Sequence, residues 1–287
     1  MALNGPGGTA ASCARARACH MVVDAEPWIY EDRIAGPLVD LDRQIAEGYD
    51  LDEIKQPILR ETRTVFLVRE RFCEHALDDV SAEHGEAQYV VLGAGMNGFA
   101  HNGSPLASKS RIFEVDHPNT QTWKRTRLAE LGVQTPANLT YVPVDFTAQS
   151  LSERLLAEGF DRTCPAVFSW TGVTQYLTDE AINATLREVL ALSCPGSILA
   201  VQITQPPDLL DAHNKAVLAF FMERAGSVGE PWINHHDPAE FAERLGSIGF
   251  SRVEVCTPED AQNRYVGDRP DGLRVGGYFA MLRAHVG

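Results

Sequence analysis

The chain is 287 residues long and 44% hydrophobic, enough to fill the core of one large domain or of a domain with an appended cap. Its formal net charge of −14, from 39 Asp and Glu against 25 Lys and Arg, argues against the basic surface that nucleic acid or an anionic membrane attracts. A small-molecule ligand, uncharged or guided by local cations, is expected instead; the composition says nothing of oligomeric state.

The first eight residues are rich in Gly and Pro, and the Ala-rich stretch from Ala10 to Ala18 favours helix. Arg15 and Arg17 precede no long apolar run, so neither a secretory leader nor a membrane span is predicted, and the chain reads as soluble and cytoplasmic. The cysteines, at positions 13, 19, 73, 164, 194 and 256, include no C-x-x-C pair, which indicates reduced thiols rather than a metal site or a disulfide framework. Short segments punctuated by Pro27, Pro37 and Pro57 follow. From Thr62 to Val80, apolar residues at Val65, Leu67, Val68, Phe72, Ala76, Leu77 and Val80 recur at helical spacing. Residues 1–85 therefore read as an N-terminal helical cap.

From residue 86 the texture changes to a βαβ series. Strands are predicted at Tyr89–Leu92, Arg111–Val115, Leu139–Val144, Ala166–Ser169 and Ser197–Ile203, with helices at Asn119–Leu131, Leu151–Glu158 and Asp179–Leu192 between the later ones. Such alternation builds a doubly wound parallel sheet covered on both faces. After Pro206 and Pro207 a helical pattern runs to about Ala225, inside a stretch of about 205–236 that reads as a substrate lid. A helix at Pro238–Leu245 and closing strands at Arg252–Cys256 and Gly277–Ala284 complete the 86–287 core.

Ligands of open α/β sheets lie beyond the carboxyl ends of the strands. There the first strand runs into Gly93-Ala94-Gly95-Met96-Asn97-Gly98, formally G-x-G-x-x-G, with Glu114 and Asp116 about 20 residues on. The loop alone fits NAD or a nucleoside cofactor of another kind, because both need close backbone approach and a carboxylate for ribose hydroxyls. Two details weigh against a dinucleotide. The segment Phe99 to Pro105 lacks the pattern of a helix that could face a pyrophosphate, and Val144-Asp145-Phe146 places a carboxylate beside an aromatic ring at the end of the third strand.

Taken with their neighbours, these motifs resemble the S-adenosylmethionine-dependent O-methyltransferases related to leucine carboxyl methyltransferase, including actinobacterial and polyketide-pathway members. The matching stretches are Val91 to Gly95, Phe113 to Pro118, Val142 to Phe146, Phe168 to Leu177 and Asp237 to Phe241, colinear with the family from about residue 60 to 250. The resemblance implies a class I methyltransferase fold, Rossmann-like, with a seven-stranded sheet whose final strand is reversed, and S-adenosyl-L-methionine as cofactor. It implies that Arg69, or Arg71 one alignment choice away, receives the methionine carboxylate, that Gly93 and Gly95 form the cofactor turn, that Asp116 takes the ribose hydroxyls and that Asp145 and Phe146 border the adenine. A planar guanidinium suits the first role because it can hold a carboxylate bidentately.

Two departures remove negative charge near the cofactor's amino-acid end. Relatives carry Asp where this chain has Asn97, followed here by Gly98, and Glu where it has Thr171. Trp170, Tyr176 and Trp232 are candidates for an aromatic substrate pocket. His235 and His236, in Trp232-Ile233-Asn234-His235-His236-Asp237-Pro238, are candidates for a general base, with a helix-capping surface pair as the competing reading. The expected activity is transfer of a methyl group to a carboxyl or to a phenolic or enolic hydroxyl of a small secondary-metabolite substrate. Alternatives are a family member that has lost methyl transfer and performs a cyclisation, elimination or rearrangement, and a catalytically idle binding subunit.

Overall fold

A computed structural model describes residues 8–145 and 149–287. Three helices open the chain: α1 (Gly8–Val23), α2 (Ala35–Val39) and α3 (Leu41–Ala46). The long α4 (Pro57–His84) begins with Pro57 in the first turn, where its missing N–H costs nothing, and ends at Gly85. It overshoots the predicted 62–80 at both ends: its last turn, Ser81 to His84, is polar, and Ile58 and Leu59 of its first turn are separated from the periodic run by Arg60 to Thr64.

The alternating core follows: β1 (Gln88–Leu92), α5 (Pro105–Lys109), β2 (Arg111–Asp116), α6 (Pro118–Glu130), β3 (Leu139–Pro143), α7 (Leu151–Ala157), β4 (Ala166–Trp170), α8 (Asp179–Leu192) and β5 (Ile198–Thr204). Then come α9 (Ala212–Ser227), α10 (Pro238–Ile248), β6 (Arg252–Cys256), α11 (Pro258–Ala261) and β7 (Phe279–His285). The seven strands lie in the order β3-β2-β1-β4-β5-β7-β6. β7 runs antiparallel to both β5 and β6, while the pairs from β3 to β5 are parallel, the reversed final strand that the resemblance implies. β7 starts two residues later than predicted because the Gly277 amide is spent on α9, donating to Asn214 Oδ1 at 2.7 Å.

Side chains alternate along each strand between two apolar layers. Tyr89 and Val91 of β1 join Val65, Leu67 and Phe72 of α4 on one face. Val90 and Leu92 join Leu151, Leu186 and Phe241, from α7, α8 and α10, on the other. α1 and α3 form a smaller cluster with Met96 of the glycine loop, so the N-terminal segment is folded onto the end of β1. Among the described residues no helix is long and apolar enough to cross a membrane.

Chain order reverses between β1 and β4, which lead outward to β2 and β5 respectively. At such a switch point the loops after the two strands part and leave a crevice at their carboxyl ends. Gly93 follows β1 there and Thr171 follows β4.

Candidate functional site

β1 delivers its last residue, Leu92, beside Val115 of β2, and the chain then turns sharply. Gly93 has φ 72° and lies so close to Val173 that a Cβ would run into that side chain, so backbone conformation and space both demand glycine. The amides of Gly93 and Ala94 donate to the Val115 carbonyl at 2.9 and 3.0 Å, and the Gly95 amide donates to the Asp116 carboxylate. The loop is thus tied to the end of β2. A single 3₁₀ turn, Phe99–His101, follows it in place of a long helix.

Across the crevice, α4 presents Arg69, whose guanidinium lies 4.8 Å from the centre of the Phe66 ring and packs against the turn after β4. Gly172 has φ 70°, and a Cβ there would sit 2.6 Å from Arg69 Nη1. Arg69 Nε is buried without a hydrogen-bond partner; its approach to Glu70 Oε1, at 3.5 Å, is too long to count as one. An orphaned donor on a buried cation is costly unless a ligand satisfies it.

Glu70, 5% exposed, accepts a hydrogen bond from Asn97 Nδ2 at 2.8 Å. The Asn97 amide is oriented by its other end, since Oδ1 accepts from the Phe99 amide at 3.0 Å. The Asn97 carbonyl accepts from Lys124 Nζ at 2.5 Å, and Lys124 in turn forms a buried 2.6 Å pair with Glu114 of β2. Burial raises the Glu114 carboxyl pKa, against the pull of that lysine.

The N-terminal helix roofs the crevice. Arg17, fully packed inside α1, pairs with Asp32 at 2.8 Å and donates to the Met96 carbonyl at 2.6 Å, which clasps the helix to the glycine loop. Glu230 accepts from the amide and hydroxyl of Thr9, closing the other side. Tyr176 and Trp232 join through an indole N–H to phenol oxygen bond of 3.1 Å. These parts enclose a cavity of about 390 Å³, within the range of small-molecule sites.

Of the residues singled out in the sequence, Arg69, Gly93, Gly95, Asn97, Thr171, Tyr176 and Trp232 line this cavity. Asp116 lies one hydrogen bond away, at the back of the glycine loop, where burial raises its pKa against the amides of Gly95 and His117. Asp145 follows β3 outside the cavity wall, and Phe146 falls outside the described residues. Trp170 is not a pocket residue: it points into the core layer under α8 and α10.

His235 and His236 are not brought to the cavity either. The His236 amide donates to Thr204 at 2.9 Å, and its ring packs at 5.0 Å on Phe241. Burial lowers the pKa of His235 and takes that of His236 down to about 4, with Arg244 adding to the latter shift. Neighbouring Asp237 caps α10 through the amides of Ala239 and Glu240, so the capping half of the competing reading falls to the aspartate. Sequence reasoning missed Arg17, Glu70 and Arg224, all of which line the cavity. The one available signal was a charged residue embedded in the Ala-rich stretch around Arg17.

Comparison with known proteins gives the same region a family. The sequence model of leucine carboxyl methyltransferase matches residues 10–190, which includes most of α1 and the Gly93 loop. A Bacillus subtilis protein named as an S-adenosyl-L-methionine-dependent methyltransferase, YktD, is 29% identical over 90% of this chain and 90% of its own length. A Mycobacterium marinum protein of the same description is 32% identical over 79% of this chain and 72% of its own. Among solved structures, a Thermobifida fusca protein named as a methyltransferase superposes with a TM-score of 0.58 at 17% identity, covering 100% of this chain and 97% of that one. A Streptomyces avermitilis protein of the DUF574 family gives 0.56 at 16%, over 95% and 97%. The chain belongs to the leucine carboxyl methyltransferase family.

Proposed function

We propose, from that membership, that the protein is an S-adenosylmethionine-dependent O-methyltransferase acting on the carboxyl or acidic hydroxyl of a small molecule. The observation that carries the reading is Arg69: a buried cation with an unsatisfied Nε, lining a cavity whose floor is a glycine turn at the sheet's switch point. A free α-amino acid carboxylate is the kind of group that would satisfy it.

In this reading Arg69 receives the carboxylate, the bare backbone at Gly93 and Gly95 permits close approach, and Asp116 takes the ribose hydroxyls. Asn97 and Thr171 face the amino-acid end. The bound cofactor supplies a methyl group activated on a sulfonium. The roof of α1 excludes water, and Phe66, Phe221, Tyr176 and Trp232 offer an apolar and aromatic wall for the acceptor. His235 and His236 lie away from that wall, which favours an acceptor that is already anionic, such as a carboxylate, and needs no base. Arg224 at the cavity edge can attract such an acid.

The test is incubation with methyl-labelled S-adenosylmethionine and a panel of aromatic carboxylic acids and phenols. Label appearing in an acid as its methyl ester supports the proposal. Tight cofactor binding without transfer to any member of a broad panel would favour the non-methylating alternative.

A further inference from the structure

The cofactor end that Arg69 is proposed to receive is a zwitterion, a carboxylate and an ammonium on one carbon. A site complementary to it needs a cation and an anion side by side, both facing the same space and both with bonding capacity left. We infer that Glu70 is the anion, holding the ammonium group beside the carboxylate held by Arg69; this rests on the S-adenosylmethionine reading above.

Glu70 is the one carboxylate among the described residues lining the cavity. It follows Arg69 directly in α4, and its Oε1 lies 3.5 Å from Arg69 Nε. Asn97 occupies Oε2, and among the described residues Oε1 accepts no hydrogen bond. The other nearby cation, Arg17, is 3.9 Å from Oε1 and already matched by Asp32. Glu70 therefore has an oxygen to give.

The same residue accounts for the two missing acids. Asn97 and Thr171, where the family resemblance implies Asp and Glu, line the cavity together with Glu70. At position 97 the neutral amide acts as a donor that fixes Glu70; an aspartate there would set two carboxylates against each other 2.8 Å apart. In this chain the negative charge facing the cavity sits on the helix rather than on the loop after β1, and the amide at 97 holds it there.

Calorimetry separates this from a merely structural role, using S-adenosylhomocysteine, its analogue lacking only the amino group, and 5′-methylthioadenosine, which lacks both amino-acid charges. Glu70→Gln is expected to weaken S-adenosylhomocysteine roughly 10- to 150-fold while leaving the deaminated analogue and 5′-methylthioadenosine within about twofold. Glu70→Gln combined with Asn97→Asp, which exchanges acid and amide across the same hydrogen bond, is expected to recover most of the loss. Unchanged affinity of Glu70→Gln for S-adenosylhomocysteine, or an equal loss for the deaminated analogue, overturns the assignment. Wild-type protein that binds none of the three nucleosides overturns the cofactor reading itself and this inference with it.

Discussion

Gly172→Ala tests the placement of Arg69 without touching the arginine. The substitution has two separable costs. A Cβ at φ 70° is strained by about 1–2 kcal/mol, which at this chain length corresponds to a fall in melting temperature of roughly 2–4 °C for each kcal/mol. The new methyl would also sit 2.6 Å from Arg69 Nη1 and 3.3 Å from Cζ, against a comfortable separation of about 3.5–4 Å, so the guanidinium must retreat by about 1 Å. A charge-assisted hydrogen bond does not survive that displacement, and its loss is worth about 1.5–3 kcal/mol, or roughly 10- to 150-fold in affinity. Calorimetry with S-adenosylhomocysteine should show that loss, and 5′-methylthioadenosine, which has no carboxylate, should bind within about twofold of wild type. A folded variant with undiminished affinity for S-adenosylhomocysteine would refute the carboxylate role of Arg69.

Three further outcomes follow from neighbouring contacts. In Gly98→Ala the added methyl would fall 2.8 Å from Asp32 Cγ and 2.6 Å from Ile34 Cγ2, both inside the clasp of α1. Because the backbone there is ordinary, the whole cost is steric and electrostatic, about 3 kcal/mol or more in urea unfolding; a cost under about 1 kcal/mol would mean the clasp is loose. Lys124→Met strands the buried Glu114 carboxylate and should lose about 3–5 kcal/mol at neutral pH, with the deficit shrinking as acid protonates Glu114; a deficit independent of pH would contradict that cause. Burial takes His101 and His236 down to about 4, from an ordinary value near 6.5. The unfolded chain then binds more protons than the folded one between those values, so the stabilisation present above pH 6.5 is lost as pH falls towards 4. The slope of stability against pH should flatten in His236→Asn, and an identical slope would assign the acid sensitivity elsewhere.

The sheet was legible because its signals are local. Tyr89-Val90-Val91-Leu92 is short, apolar and closed by glycine, and the 3.6-residue period of α4 survives in the seven apolar positions between Val65 and Val80. Arg69 could be singled out from the resemblance, and the structure places it on the cavity wall. Contacts between distant segments left no such trace. Arg17 meets the Met96 carbonyl 79 positions away, and nothing in an Ala-rich helix announces that partner. Glu70 read as an ordinary helix charge, since its role depends on an amide 27 positions further on. Trp170 and the two histidines misled for the converse reason. Trp170 ends β4 and the histidines lie in a loop near the carboxyl edge, yet one residue of alternation turns Trp170 into the core, and packing on Phe241 turns His236 away.

The most direct test is a crystal structure of the protein grown with S-adenosylhomocysteine. A nucleoside is expected beyond Gly93, its amino-acid carboxylate hydrogen-bonded to Arg69 and its ribose hydroxyls on Asp116. Ligand density elsewhere on the molecule, or a bound nucleoside whose amino-acid end points away from Arg69, would contradict it.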